Sequence, residues 1–163
     1  LVNIPKGICF RPLRTSVQVQ TGLQTTDAHE TEIIVAVDPR AVNVTAESAG
    51  SNTREYPVPM RTDLQNAGES AGCPCDVYSA NTVALTAVNL DIELAAMHAV
   101  TDLQGAAATL NVYDHRLEYA PAVPPYIVGP AQFLVYWAGS IATPGFAQVN
   151  FLAYPTALLP RLN

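Results

Sequence analysis

Along residues 13–20 the side chains change character at every step: Leu13, Thr15, Val17 and Val19 alternate with Arg14, Ser16, Gln18 and Gln20. In a strand, successive side chains point to opposite faces, so a period of two gives one buried and one wet face. Residues 32–38 read as a second strand. Here Ile33, Ile34, Val35 and Val37 are apolar on both parities, as in a strand covered on both faces, and Pro39 ends it because proline has no N–H to give to a ladder. The 13 prolines and 9 glycines fall between such segments, which is how a chain of short strands and turns is punctuated.

The rest of the chain extends the pattern. Weaker strands are predicted near 42–46 and 54–58, and stronger ones at 82–88, 109–119, 132–140 and 146–154. In 109–119 the apolar parity switches midway, which predicts a bulge near Asp114. Asn89, followed by Asp91 and Glu93, resembles a helix N-cap with an acidic first turn, and Leu90, Leu94 and Met97 repeat at i, i+4 and i+7. A short helix at about 89–99 therefore competes with continued strand. The last two segments, joined by a loop containing Pro144-Gly145, read as a hairpin that is apolar on both faces. Eight strands suit an all-β, eight-stranded antiparallel β-sandwich of jelly-roll-like topology, although an immunoglobulin-like sandwich or a small barrel needs a similar number.

A length of 163 residues supports one core, so residues 1–163 are read as a single β-sandwich domain, with a long surface loop at about 46–76. Within that loop the Tyr56-Pro57-Val58-Pro59 stretch suggests an extended strap lying against a neighbour. Charged residues make up 13% of the chain and hydrophobic ones 49%, whereas an ordinary domain is about 25% charged. That little charge leaves apolar surface to be covered by neighbours. With 14 acidic against 8 basic residues, direct nucleic-acid binding by these residues is not expected, although a basic amino-terminal arm outside the sequence would change that. No run is long enough for a membrane-spanning helix. The start at Leu1, without a signal-like stretch, implies processing or a leader beyond the sequence.

No phosphate-binding loop, dinucleotide fingerprint, nucleophile elbow or zincin pattern is present, and no catalytic residue and no required cofactor are expected. The candidate metal ligands are Asp27, His29, Glu30 and Glu32, an arrangement calcium or zinc could use, although a solvated turn is the simpler reading. Cys73-Pro74-Cys75 with Cys9 allows a metal site, a disulfide from Cys9 to one of the pair, or free thiols. His98 reads as a hydrogen-bonded core residue and His115 as a surface strand residue. Asn43-Val44-Thr45 matches the N-glycosylation sequon. Tyr126, Tyr136 and Trp137 are weighed as an aromatic platform for a sugar.

Three functions follow as expectations. The first is a structural subunit of a large assembly, a viral coat, capsid or capsid-decoration protein located in the virion or otherwise at an extracellular surface. Its partners would be copies of itself and other shell subunits, contacted through Phe133, Val135, Trp137, Val149 and Phe151. The second is a β-sandwich carbohydrate-binding or surface-filament module, and the third a metal-assisted hydrolase using Asp27, His29 and Glu30.

Overall fold

The structure, a computed structural model, describes residues 1–21, 29–43, 52–58, 73–80, 89–101, 113–139 and 145–159. Among them ten strands run in chain order: β1 (Val2–Ile4), β2 (Ile8–Thr21), β3 (His29–Asp38), β4 (Asn52–Glu55), β5 (Asp76–Ala80), β6 (Ile92–Thr101), β7 (Tyr113–Tyr119), β8 (Ile127–Val128), β9 (Ala131–Gly139) and β10 (Gly145–Pro155). The chain is nearly all β, in two antiparallel sheets. One has the order β4-β5-β1-β9-β3-β6, and the other β10-β2-β7 with β8 also on β2.

The doubly apolar strand predicted at 32–38 is β3, and it lies inside the six-stranded sheet between β9 and β6. Its Ile33, Val35 and Val37 join the core, while Ile34 and Ala36, on the opposite parity, are buried as well. The alternating strand at 13–20 is the second half of β2. Thr15, Val17 and Val19 are fully buried as predicted, but Leu13 is 37% exposed. Asn150 of β10 pairs with Arg14 and Phe151 pairs with Pro12, so Leu13 is the extra residue of a β-bulge. The bulge shifts parity, bringing Phe10 and Pro12 to the same side as Thr15, Val17 and Val19. Pro12 is tolerated because β2 meets β8 only at Cys9 and Phe10 and meets β7 only from Thr15 onward.

The two sheets meet at Phe10, whose ring centroid lies 5.2 Å from Phe133 on β9 and 4.8 Å from Phe151 on β10. Burying one such ring contributes about 1.5–3 kcal/mol, and tilted ring pairs add about 0.5–1.5 kcal/mol.

Several expectations are corrected. The helix at 89–99 is strand: β6 pairs with β3 from Ile92 to Thr101. Val35 pairs with Ala95 and Ala36 with Glu93, so Leu94 is the extra residue of a second bulge. That extra residue places Leu94 and Met97, three apart, both against the core, a spacing that imitates a helical period. The bulge expected near Asp114 is absent, since β7 runs in unbroken register with β2 from Tyr113 to Tyr119. The final hairpin is not one, because β9 belongs to the six-stranded sheet and β10 to the other. Val42 and Asn43 form no strand, and the strand near 54–58 is β4, which ends at Glu55. Residues 44–46, 82–88 and 109–112, and most of the loop at 46–76, lie outside the described residues.

At the crossing between sheets, Gly145 lies under the Trp137 indole, where an added Cβ would come within 2.6 Å of the ring. Gly129 is tighter still, its missing Cβ pointing at the backbone carbonyls of Ile4 and Pro5. Gly145→Ala is expected to cost about 1–3 kcal/mol, because the indole can shift. Gly129→Ala should cost more, because backbone cannot yield. Thermal denaturation of the two variants checks the order.

Candidate functional site

Asp38 ends β3 fully buried, yet four donors meet its carboxylate. The backbone N–H of Arg40 donates to Oδ1 at 2.8 Å and that of Val42 to Oδ2 at 2.8 Å. The side-chain amides of Asn43 and Asn89 add bonds of 3.0 and 2.6 Å. Asn43 and Asn89 also bond each other twice, Asn89 N–H to Asn43 Oδ1 at 2.8 Å and Asn43 Nδ2 to Asn89 O at 3.2 Å. Gln132 of β9 clasps the Asn43 backbone, accepting its N–H at 3.0 Å and donating to its carbonyl at 3.1 Å. On the solvent side Arg40 reaches Asn89 Oδ1 at 2.6 Å and Asp91 at 3.0 Å. The residues that resembled a helix cap thus tie two loops to the sheet.

Burial by itself would raise the Asp38 pKa, but the Val42 and Arg40 amides, the Asn89 amide and the Arg40 charge together bring it below its ordinary value. The same bonds hold Ala41 in the left-handed region at φ 52°. Asn43 is 7% exposed and donates from its side-chain nitrogen to two acceptors, so a glycan on that nitrogen is incompatible with this arrangement. The cluster is structural cement: each buried polar group has its partner, and removing one strands the others.

Cys73-Pro74-Cys75 precedes β5, and all three cysteines are free thiols. Cys9 and Cys75 are buried, Cys73 half-buried, and the Cys73 sulfur lies 3.4 Å from the Cys75 carbonyl oxygen. A hydrogen bond from the Cys75 thiol lowers the Cys73 thiol from 9.0 to about 6, against burial and the Asp76 charge, which act upward. That bond, followed by burial, pushes Cys75 up. Cys73 is therefore the nucleophilic member of the pair at neutral pH.

Asp27 lies outside the described residues. The backbones of His29 and Glu30 pair with Thr101 and Val100, and Glu32 is exposed opposite His98. Among the described residues no group of three or more His, Cys, Asp or Glu side chains converges as metal ligands. His98 is exposed on β6, not in the core, whereas His115 is half-buried on β7. Tyr126 carries the Arg11 guanidinium 4.3 Å above its ring, and Trp137 covers Gly145. Phe133 is fully buried, and Val135, Trp137, Val149 and Phe151 pack against the core clusters. Of the five, Phe133 lies wholly within the core and the other four are partly buried beside it.

The outward apolar residues are others. Val58, Val123, Leu158, Phe146 and Val42 are 82%, 79%, 70%, 67% and 60% exposed, and Leu152 is 48% exposed. Phe146 and Leu152 lie on the even parity of β10, beside Gln148 and Asn150, on the face away from the core. Their outward position follows from the buried partners of the odd parity: Ala147 pairs with Val17 and Ala153 with Phe10. Sequence periodicity shows that two faces exist on this strand but not which is inward. Among the described residues no helix is long and apolar enough to cross a membrane.

In comparisons with protein-family models, curated proteins and solved structures, nothing matches this chain.

Asp38→Ala should remove about 3 kcal/mol of stability at neutral pH by leaving buried donors unpaired. Because the folded pKa is depressed, the contribution of Asp38 is complete above the unfolded value near 4 and is lost as pH falls through the folded value. Urea titrations at pH 7 and pH 3 should show the gap between wild type and variant narrowing in acid.

The alkylation rate of Cys73 should titrate with a midpoint near 6. Cys75→Ala, which removes the donor, should move that midpoint up toward the ordinary thiol value, and Cys75→Ser, which keeps a hydroxyl, should move it less. A pH profile followed by mass spectrometry reads both.

Proposed function

We propose that this chain is a structural subunit of a large assembly, of the viral coat, capsid or capsid-decoration kind, built as a jelly-roll-like β-sandwich. The observation that carries the reading is the amount of large apolar side chain left on the surface of a weakly charged molecule. Phe146 and Leu152 on β10, Val58 after β4 and Val123 and Tyr126 before β8 all stand exposed, and burial against neighbouring subunits would remove this apolar surface from water. Two antiparallel sheets joined through Phe10, Phe133 and Phe151 support the sandwich part of the reading. The net charge of −6 leaves contact with a nucleic acid to other chains or to residues beyond this sequence. Copies of the chain itself and other shell subunits are the partners this surface suits.

Light scattering of the native protein, with negative-stain imaging of the same fraction, tests the proposal. Particles or closed oligomers of many copies are the expected outcome. A monodisperse monomer at all concentrations overturns it.

A further inference from the structure

Strand β10 is the longest unguarded edge among the described residues. It pairs with β2 along its whole length, and no other described strand lies on its second side. None of its 11 residues is buried, although it includes Phe146, Val149, Phe151, Leu152 and Tyr154. An exposed row of backbone donors and acceptors is a template for another strand, and proteins usually block such edges with charge, proline or a bulge. The other three edge strands of four or more residues carry charge: β4 has Arg54 and Glu55, β6 has Glu93, and β7 has Asp114, Arg116 and Glu118, while β8 on β2 is an edge of only two residues. From Gly145 to Tyr154 there is no charge and no proline, and the extra residue of the bulge belongs to β2.

We propose that β10 pairs antiparallel with β10 of a second copy about a two-fold axis at Val149, joining two four-stranded sheets into one. A second copy is the occupant because the strand is self-complementary. In this register Phe146 faces Leu152, Ala147 faces Phe151 and Gln148 faces Asn150, and the two-fold repeats each pair. The two most exposed apolar side chains of the strand, 67% and 48%, thereby cover each other, and the two amides meet between them. Shifting the axis to Asn150 keeps the faces but sets Gln148 against Leu152. Without charge on the strand, no like charges are brought together. The contact rests on the assembly reading, of which it names one interface, and it fails separately from it.

Phe146→Lys and Leu152→Glu each place a charge opposite an apolar partner at both symmetry-related positions. Each substitution should weaken self-association about 100-fold, roughly tenfold per affected pair, with circular dichroism unchanged because both positions are exposed. The double variant should recover the association, because the introduced lysine faces the introduced glutamate of the other copy. Within one chain the two positions are six residues apart on an extended strand, too far to pair. Sedimentation velocity over a concentration series reads all four proteins. Gln148→Lys, also at an exposed position, serves in place of either single variant should one fold poorly.

Association unchanged by the single variants overturns the β10 contact while leaving the assembly standing. Loss in both singles without recovery in the double overturns the register and the proposal with it. A wild-type monomer at every concentration overturns this contact and the assembly together.

Discussion

The ring of Phe10 is where the two sheets become one core, and it reaches that position only because β2 carries one residue too many. In an unbroken strand, Phe10 and Pro12 would face away from Thr15, Val17 and Val19, and the long strand would contribute half of its apolar side chains to each face. The bulge at Leu13 lets both halves face inward, so that Phe10 meets Phe133 and Phe151 while Val17 and Val19 pack with Ile33. An inserted residue also sharpens local twist, which suits a strand that serves β8 at one end and β7 at the other. Truncating a ring in such a place costs about 3–5 kcal/mol, a large share of what a domain of this size has in reserve.

On the other side of the six-stranded sheet the cement is polar. The parity that carries Ile34 and Ala36 continues to Asp38, and opposite them on β9 stand Tyr136, Leu134 and Gln132. Apolar packing thus passes into a hydrogen-bonded cluster at one end of two adjacent strands. Burying a carboxylate is unfavourable unless its lone pairs are filled, and here two backbone amides and two asparagines fill them. Such clusters contribute less net stability than their bond count suggests, but their geometry is unforgiving. Loops 39–43 and 89–91 are fixed relative to β9 by direction as well as by contact.

Period-two alternation made the β class legible, and apolar residues on both parities placed β3 in the interior of a sheet. What misled was the bulge. Leu94 and Met97 read as helical because an extra residue in a strand turns an even spacing into an odd one, and Asn89 read as a cap because asparagine serves a buried carboxylate as readily as a helix terminus. The supposed hairpin failed for a different reason. Two consecutive apolar strands joined by a Pro-Gly loop are equally compatible with crossing between sheets, and the two are distinguished only by the partners, β3 and β1 for β9 and β2 for β10, which are distant in sequence. The candidate interface residues were named without a face assignment: alternation separates Val149 and Phe151 from Phe146 and Leu152, but which set is inward depends on β2, a strand far away in sequence. The dithiol was visible as a spacing, whereas its asymmetry arises from a hydrogen bond that no spacing reveals.

The scarcity of charge acquires a meaning once it is placed on the fold. A chain with 8 basic and 14 acidic residues cannot protect every edge and face, so where it spends them is informative. Arg54 bonds Asp76 across β4 and β5, and Arg14 bonds Glu118 across β2 and β7. Exposed pairs of this kind add little stability, about 0–1 kcal/mol each. Their effect is rather to make those edges and faces poor templates for foreign strands. Stability alone gives no reason to charge three of the four long edges and leave the fourth, with its phenylalanine and leucine, bare. Partner choice would: under the proposed pairing, charges at β4, β6 and β7 would discourage association there, and the same selectivity would keep β10 free of any group that repels its own copy.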